Sequence, residues 1–143
     1  MYLLYIHVAA ICVAVSTIII ADHEVFGWIF GEKEVLARDR MRGIHWTMWG
    51  ALLTLIGTGF FMFLPTYEYL LTQPLFILKL LFVMVLVVNA VLIGNLMEVA
   101  LTRPFATLSF KEKMRFFVSG AISTFSWAST IGLGLYLFYR PLF

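Results

Sequence analysis

Charge is scarce in this chain. Of its 143 residues, 13% are charged, about half the share of an ordinary soluble domain. Together with 62% hydrophobic residues and a mean hydropathy of +0.97, that scarcity excludes a soluble globule. Disorder is excluded as well, because it needs high charge and few aromatics, and aromatics here reach 17%. The net charge of +2 offers no basic surface of the kind nucleic acids require, so no nucleic-acid partner is expected. Cysteine is nearly absent. Cys12 stands alone, so no internal disulfide can form, and thiol chemistry built on Cys-x-x-Cys pairs is excluded. Lying in an apolar run, Cys12 reads as a small core residue. Basic residues are missing from the start of the chain, and no small-x-small exit follows the first apolar run. A retained first span is therefore expected rather than a cleaved signal peptide.

What is abundant is uninterrupted apolar sequence. Four runs stand out, at about 2–21, 44–64, 75–97 and 116–139. Each reaches the roughly 20 residues that cross about 30 Å of hydrocarbon. In lipid only helices and closed barrels satisfy their backbone. Barrel strands are shorter and alternate, so these runs predict helices. The fold class is all-α: one integral membrane domain over 1–143, a four-helix transmembrane bundle. Ser109 and Glu112 have capping-box spacing, which predicts that the fourth helix starts near Phe110.

Lys and Arg set the expected orientation. The first connection carries Lys33, Arg38, Arg40 and Arg42, and the third carries Arg103, Lys111, Lys113 and Arg115. The second, 65–74, carries none. Both basic connections should face the cytoplasm of a cell whose inner membrane holds the protein, with both termini extracytoplasmic. The stretch 32–41 reads two ways. It is a short interfacial helix, with Val35, Leu36 and Met41 on the membrane and Arg38 and Arg40 at anionic headgroups, or a solvated loop that carries the topology signal.

Small residues locate the interior, since they let membrane helices approach closely. The stripes are Ala10, Ala14, Thr17 and Ala21; Gly50, Thr54 and Gly57; and Ser119, Ser123, Ser126, Thr130 and Gly134. The same stripes serve tight packing and room for a cofactor. Mid-span Asn89 should hydrogen-bond another helix. Trp28, Trp46, Trp49, Tyr67, Tyr69, Tyr136 and Tyr139 read as aromatic belts. No internal repeat supports a dual-repeat transporter.

The few polar groups at membrane depth are the candidate sites. His7 shares a face with Ala10 and Ala14, near the outer surface. It reads as a haem or metal ligand, as a proton-handling group near a quinone, or as a hydrogen-bonded interfacial histidine. Lys79 lies on the same side. It either snorkels outward or points toward His7 and pairs with an anion such as a haem propionate. Met62 is a soft donor on that side. At the cytoplasmic end stand Asp22, His23 and Glu24, His45 with Met48, and Asn95, Met97 and Glu98. His23, Glu24, His45, Asp22 and Glu98 form a candidate shell for a transition metal. His23 and His45 are also candidate haem ligands. His7 and His23 are separated by roughly 24 Å along a helix, so one iron cannot bind both.

Three segments carry a family resemblance. They are Tyr5-Ile6-His7-Val8-Ala9-Ala10 in the first span, Leu55-Ile56-Gly57-Thr58-Gly59 in the second, and Pro74-Leu75-Phe76-Ile77-Leu78-Lys79-Leu80 opening the third. In this order they resemble the small four-helix membrane proteins related to the CopD domain and the HemJ-type protoporphyrinogen oxidases, loosely over the first 100 residues or so. The resemblance implies a bundle holding b-type haem, with His7 as ligand and Lys79 as the basic residue. Where the family commonly has Trp-x-Gly after that histidine, this chain has Ala14-Val15-Ser16, and its third helix lacks a histidine. The HemJ reaction is therefore not implied, and enzymatic activity is left open. The leading expectation is a small membrane redox protein exchanging electrons with quinone or a partner. The alternatives are an accessory subunit packed against other membrane subunits, and a transition-metal binding or transport protein.

Overall fold

The computed structural model describes residues 2–139. Among these it contains helices and turns and no strand. The elements are α1 (Tyr2–Ile29), α2 (Arg38–Phe63), the short α3 (Tyr67–Leu71), α4 (Pro74–Thr102) and α5 (Phe110–Tyr139). The long α1, α4 and α5, and the segment Arg38–Leu71 that α2 opens, are long and apolar enough to cross a membrane. The expected all-α, four-helix membrane architecture is what the chain adopts. One end of the bundle, the Pro74 end, carries the start of α1 and the α2–α4 connection. The other, the Arg103 end, carries the two basic connections.

Each boundary has a local cause. α5 begins at Phe110 because Ser109 and Glu112 close the expected capping box. The Ser109 amide donates to Glu112 Oε2 at 2.8 Å and the Glu112 amide to Ser109 Oγ at 3.4 Å, so two otherwise orphaned donors satisfy each other's residues. α1 runs past its apolar stretch to Ile29. After Asp22-His23-Glu24 the sequence becomes apolar again, and a Schellman motif stops the helix. Gly31 takes φ +80°, the Glu32 amide reaches Gly27 O at 2.8 Å, and the Gly31 amide reaches Trp28 O at 3.3 Å. A left-handed residue there suits glycine.

Residues 32–37 form no interfacial helix but a largely exposed loop, as the second reading expects, with Leu36 alone buried. They strap the end of α4. The Leu36 amide bonds to Ala100 O at 3.1 Å, satisfying one of the carbonyls that a helix C-terminus leaves open. The Leu36 side chain is buried beneath it. Arg38–Met41 instead forms the first turn of α2.

α1 packs along α2 and α4 along α5, and α2 also meets α4. Two apolar clusters join these hairpins. At the Arg103 end Trp28 packs with Leu36, Met41, Ala100, Leu101 and Leu108. In the middle Trp127 packs with Ala14, Ala51, Leu52 and Leu86. Ala14, fully buried, is small enough to let the indole sit against α1. Trp28 is therefore a core residue and not a belt residue. Trp46, Tyr67, Tyr69, Tyr136 and Tyr139 face outward, as a belt requires.

The α1 stripe faces inward at Ala10, Ala14 and Thr17, and the α5 stripe at Ser119 and Ser126. The α2 stripe does not. Gly50 and Thr54 are exposed, while Ala51, Leu52 and Thr58 are buried. Rotation of α2 turns Ala51 toward Trp127, and Thr54 satisfies its own hydroxyl on Gly50 O at 2.7 Å. Cys12 is exposed on α1 rather than in the core, because it lies off the Ala10–Ala14–Thr17 face.

Asn89 bridges to α5 as expected. Its Nδ2 donates to Ser119 O at 3.0 Å and its Oδ1 accepts from Ser119 Oγ at 2.8 Å. Asn89→Leu should lower stability by about 1 kcal/mol, the scale of interhelical hydrogen bonds in membrane proteins. Unfolding titrations in mixed micelles check this. An unchanged midpoint would show the bond to contribute nothing.

Candidate functional site

The polar groups at the Pro74 end are positioned by helix register. Seven residues bring a helix back to nearly the same face about 10 Å further along. Starting from the central cluster, that step leads from Ala14 to His7, from Ala51 to Thr58, from Leu86 to Lys79 and from Trp127 to Gly134. One apolar layer is thus followed by a layer of three polar residues and one glycine, one residue from each long helix. The expected inward face of His7 is the one observed.

The contacts agree with the register. His7 Nδ1 lies 2.7 Å from Thr58 Oγ1. A Cβ placed on Gly59 would stand 3.7 Å from His7 Cε1, so the ring edge approaches α2 where the chain has no side chain. On the opposite hairpin a Cβ on Gly134 would stand 3.4 Å from Lys79 Nζ. The lysine therefore lies along α5 and does not snorkel outward. Lys79 forms no ion pair among the described residues. Met62, on this side too, is exposed.

The Thr58 hydroxyl bears on which nitrogen of His7 carries the proton. It has one proton to give, and that proton goes back along α2 to Thr54 O at 2.7 Å. With its proton on Thr54 O, Thr58 accepts from His7, and that arrangement puts the hydrogen on Nδ1. Nε2 is left with a free lone pair. Histidines that bind metals are commonly held this way, with one nitrogen donating to a fixed partner while the other ligates. Sequence reasoning passed over Thr58 as a functional residue. Its signal was the spacing Thr54–Thr58, four apart on one helix, where each hydroxyl can bond back. Thr58→Val should move the proton from Nδ1 to Nε2, while Thr58→Ser should keep it in place. Nitrogen-15 NMR of histidine-labelled protein checks both, and an Nε2–H ring in the unmodified protein would contradict the assignment.

The Arg103 end is organised differently. Glu24 is 4% exposed and is held by Lys33 at 2.6 Å and Arg40 at 3.0 Å. Glu98 receives both terminal nitrogens of Arg38 at 3.3 Å. Asp22 and His23 are exposed. His45 is half-buried between Trp46 and Trp49 on its own helix, and its Cε1 would be 3.4 Å from a Cβ on Gly94 of α4. Among the described residues no three His, Cys, Asp or Glu side chains gather as a metal shell would need. Two of the three candidate carboxylates bind cations of the chain instead.

The structure thus places His7 and Lys79 at one end, each against its own hairpin, and leaves His23, His45, Asp22, Glu24 and Glu98 at the other. Searches against protein-family models, curated proteins and solved structures found no match to this chain.

Proposed function

We propose that this chain is a small redox protein of the cytoplasmic membrane. It binds one b-type haem at the Pro74 end and exchanges electrons with quinone or a partner membrane protein. The observation that carries this reading is the contact of His7 Nδ1 with Thr58 Oγ1 at 2.7 Å, which orients the ring and leaves Nε2 without a partner among the described residues. An imidazole presented in this way is the usual protein ligand of haem iron. The glycines at 59 and 134 keep side chains out of the space beside the imidazole and the ammonium. Lys79 supplies a positive charge on that side. Bound haem would supply one-electron chemistry; His7 would ligate it, Thr58 would orient that ligand and Lys79 would meet a negative group on it. The resemblance to CopD- and HemJ-type proteins, which rests on His7 and Lys79, points the same way. The basic connections at the Arg103 end favour a cytoplasmic location for that end, which leaves the haem near the outer face and both termini outside.

Titration of haem b into the detergent-purified chain tests the reading. One haem per chain is expected, with a Soret band that grows and saturates. A band that rises without saturating, as for haem partitioning into detergent alone, would overturn it. Transition-metal binding at the other end has less support, because Glu24 and Glu98 are engaged by Lys33, Arg40 and Arg38.

A further inference from the structure

Two groups toward the Pro74 end lack a partner among the described residues, the ammonium of half-buried Lys79 and the buried hydroxyl of Thr130. The first is the Lys79 ammonium. It lies against Gly134 of α5 and forms no ion pair among the described residues. A cation inside an apolar bundle is costly unless an anion meets it. The second is the Thr130 hydroxyl, which is buried and finds no hydrogen-bond partner among the described residues. Such orphans are rare in folded proteins and call for an explanation. Thr130 lies one turn before Gly134 on the same face of α5, between the Trp127 layer and the Lys79 layer. Gly134 keeps the wall between them free of a side chain.

We propose that Lys79, Thr130 and Gly134 form a carboxylate-binding subsite. One carboxylate oxygen takes the ammonium and the other accepts the Thr130 hydroxyl proton, which satisfies both orphaned groups at once. A neutral ligand would leave the cation unpaired, and a phosphate would bring more charge than one lysine offsets. The carboxylate belongs to an apolar molecule, because the neighbours of Lys79 and Gly134 along the chain, Leu78, Leu80 and Leu135, are exposed and apolar. Two sources share this chemistry: a propionate of haem and the headgroup of a free fatty acid. The assignment of the carboxylate to haem rests on the function proposed above. The subsite itself does not.

The experiment compares three probes on the purified full-length chain: haem b, its dimethyl ester and laurate. The ester keeps the iron and the ring and loses both carboxylates. The unmodified protein should bind haem b about tenfold more tightly than the ester, the scale of a charge-assisted hydrogen bond. In Lys79→Gln that gap should close. Thr130→Val, a milder change, should narrow it. Equal binding of haem b and ester, or a gap that persists in both variants, overturns the subsite and leaves the haem reading standing. If neither porphyrin binds but laurate does, and Lys79→Gln abolishes that binding, the subsite holds and the haem reading fails. If no probe binds, both are overturned.

Discussion

Replacing Trp28 with alanine is expected to remove about 3–5 kcal/mol of stability, the range for truncating a buried large aromatic. The indole is 1% exposed. It meets Phe105 and Phe116 edge-on, each with ring centroids 5.1 Å away. Its Nε1–H donates to Arg103 O at 3.1 Å, beyond the end of α4. One side chain therefore ties α1 to α4, to the connection after it and to the start of α5. Trp28 also lies past the apolar run 2–21, where removal of apolar surface from water still drives packing. Trp28→Phe separates the contributions. It keeps most of the packing and leaves the Arg103 carbonyl without its donor, at a cost of about 1–3 kcal/mol. Thermal or denaturant unfolding in a fixed detergent, followed by circular dichroism, reads both variants. A loss below about 1 kcal/mol for the alanine variant would mean that the salt bridges of Glu24 hold this end without the indole.

Replacing His7 with alanine is expected to lower haem affinity by more than roughly a hundredfold. Losing a supporting partner of a ligand costs about 10–100-fold, and losing the ligand itself must exceed that. His45→Ala and His23→Ala should leave affinity unchanged, because both histidines belong to the Arg103 end. Direct titrations of the three variants decide this. Equal affinity in the unmodified and His7→Ala proteins would remove His7 from the site. A selective loss in His45→Ala would move the site to the other end.

The sequence made legible whatever is set by composition or by spacing within one helix. Long apolar runs predict the four spanning helices, and the Ser109–Glu112 spacing predicts the start of α5. The Ala10–Ala14–Thr17 face of α1 and the cross-helix bond of Asn89 also follow from local pattern. The inward turn of His7 was readable because it shares that face. What could not be read depends on rotation and on contacts far apart in sequence. The rotation of α2 about its axis decides between Gly50 and Ala51 as the inward residue, and both are small. Trp28 looked like a belt residue because nothing local shows that Phe105 and Phe116 close over it. The strap of Leu36 over Ala100 is a backbone bond across 64 positions, invisible to any periodicity. The candidate metal shell failed for a similar reason. Glu24 and Glu98 stand at the same end as His23 and His45, but Lys33, Arg40 and Arg38 reach those carboxylates. Thr58 entered the sequence reading only as part of a glycine-flanked segment. Its role depends on a contact with His7 across 51 positions, which no local pattern shows.

The most direct test of a haem held by His7 is the absorption spectrum, oxidised and then dithionite-reduced, of the protein purified from haem-replete membranes. The account predicts a Soret band that sharpens on reduction and resolved α and β bands, present in His45→Ala and lost in His7→Ala. A featureless spectrum from well-folded protein, or a haem spectrum that survives in His7→Ala, would contradict it.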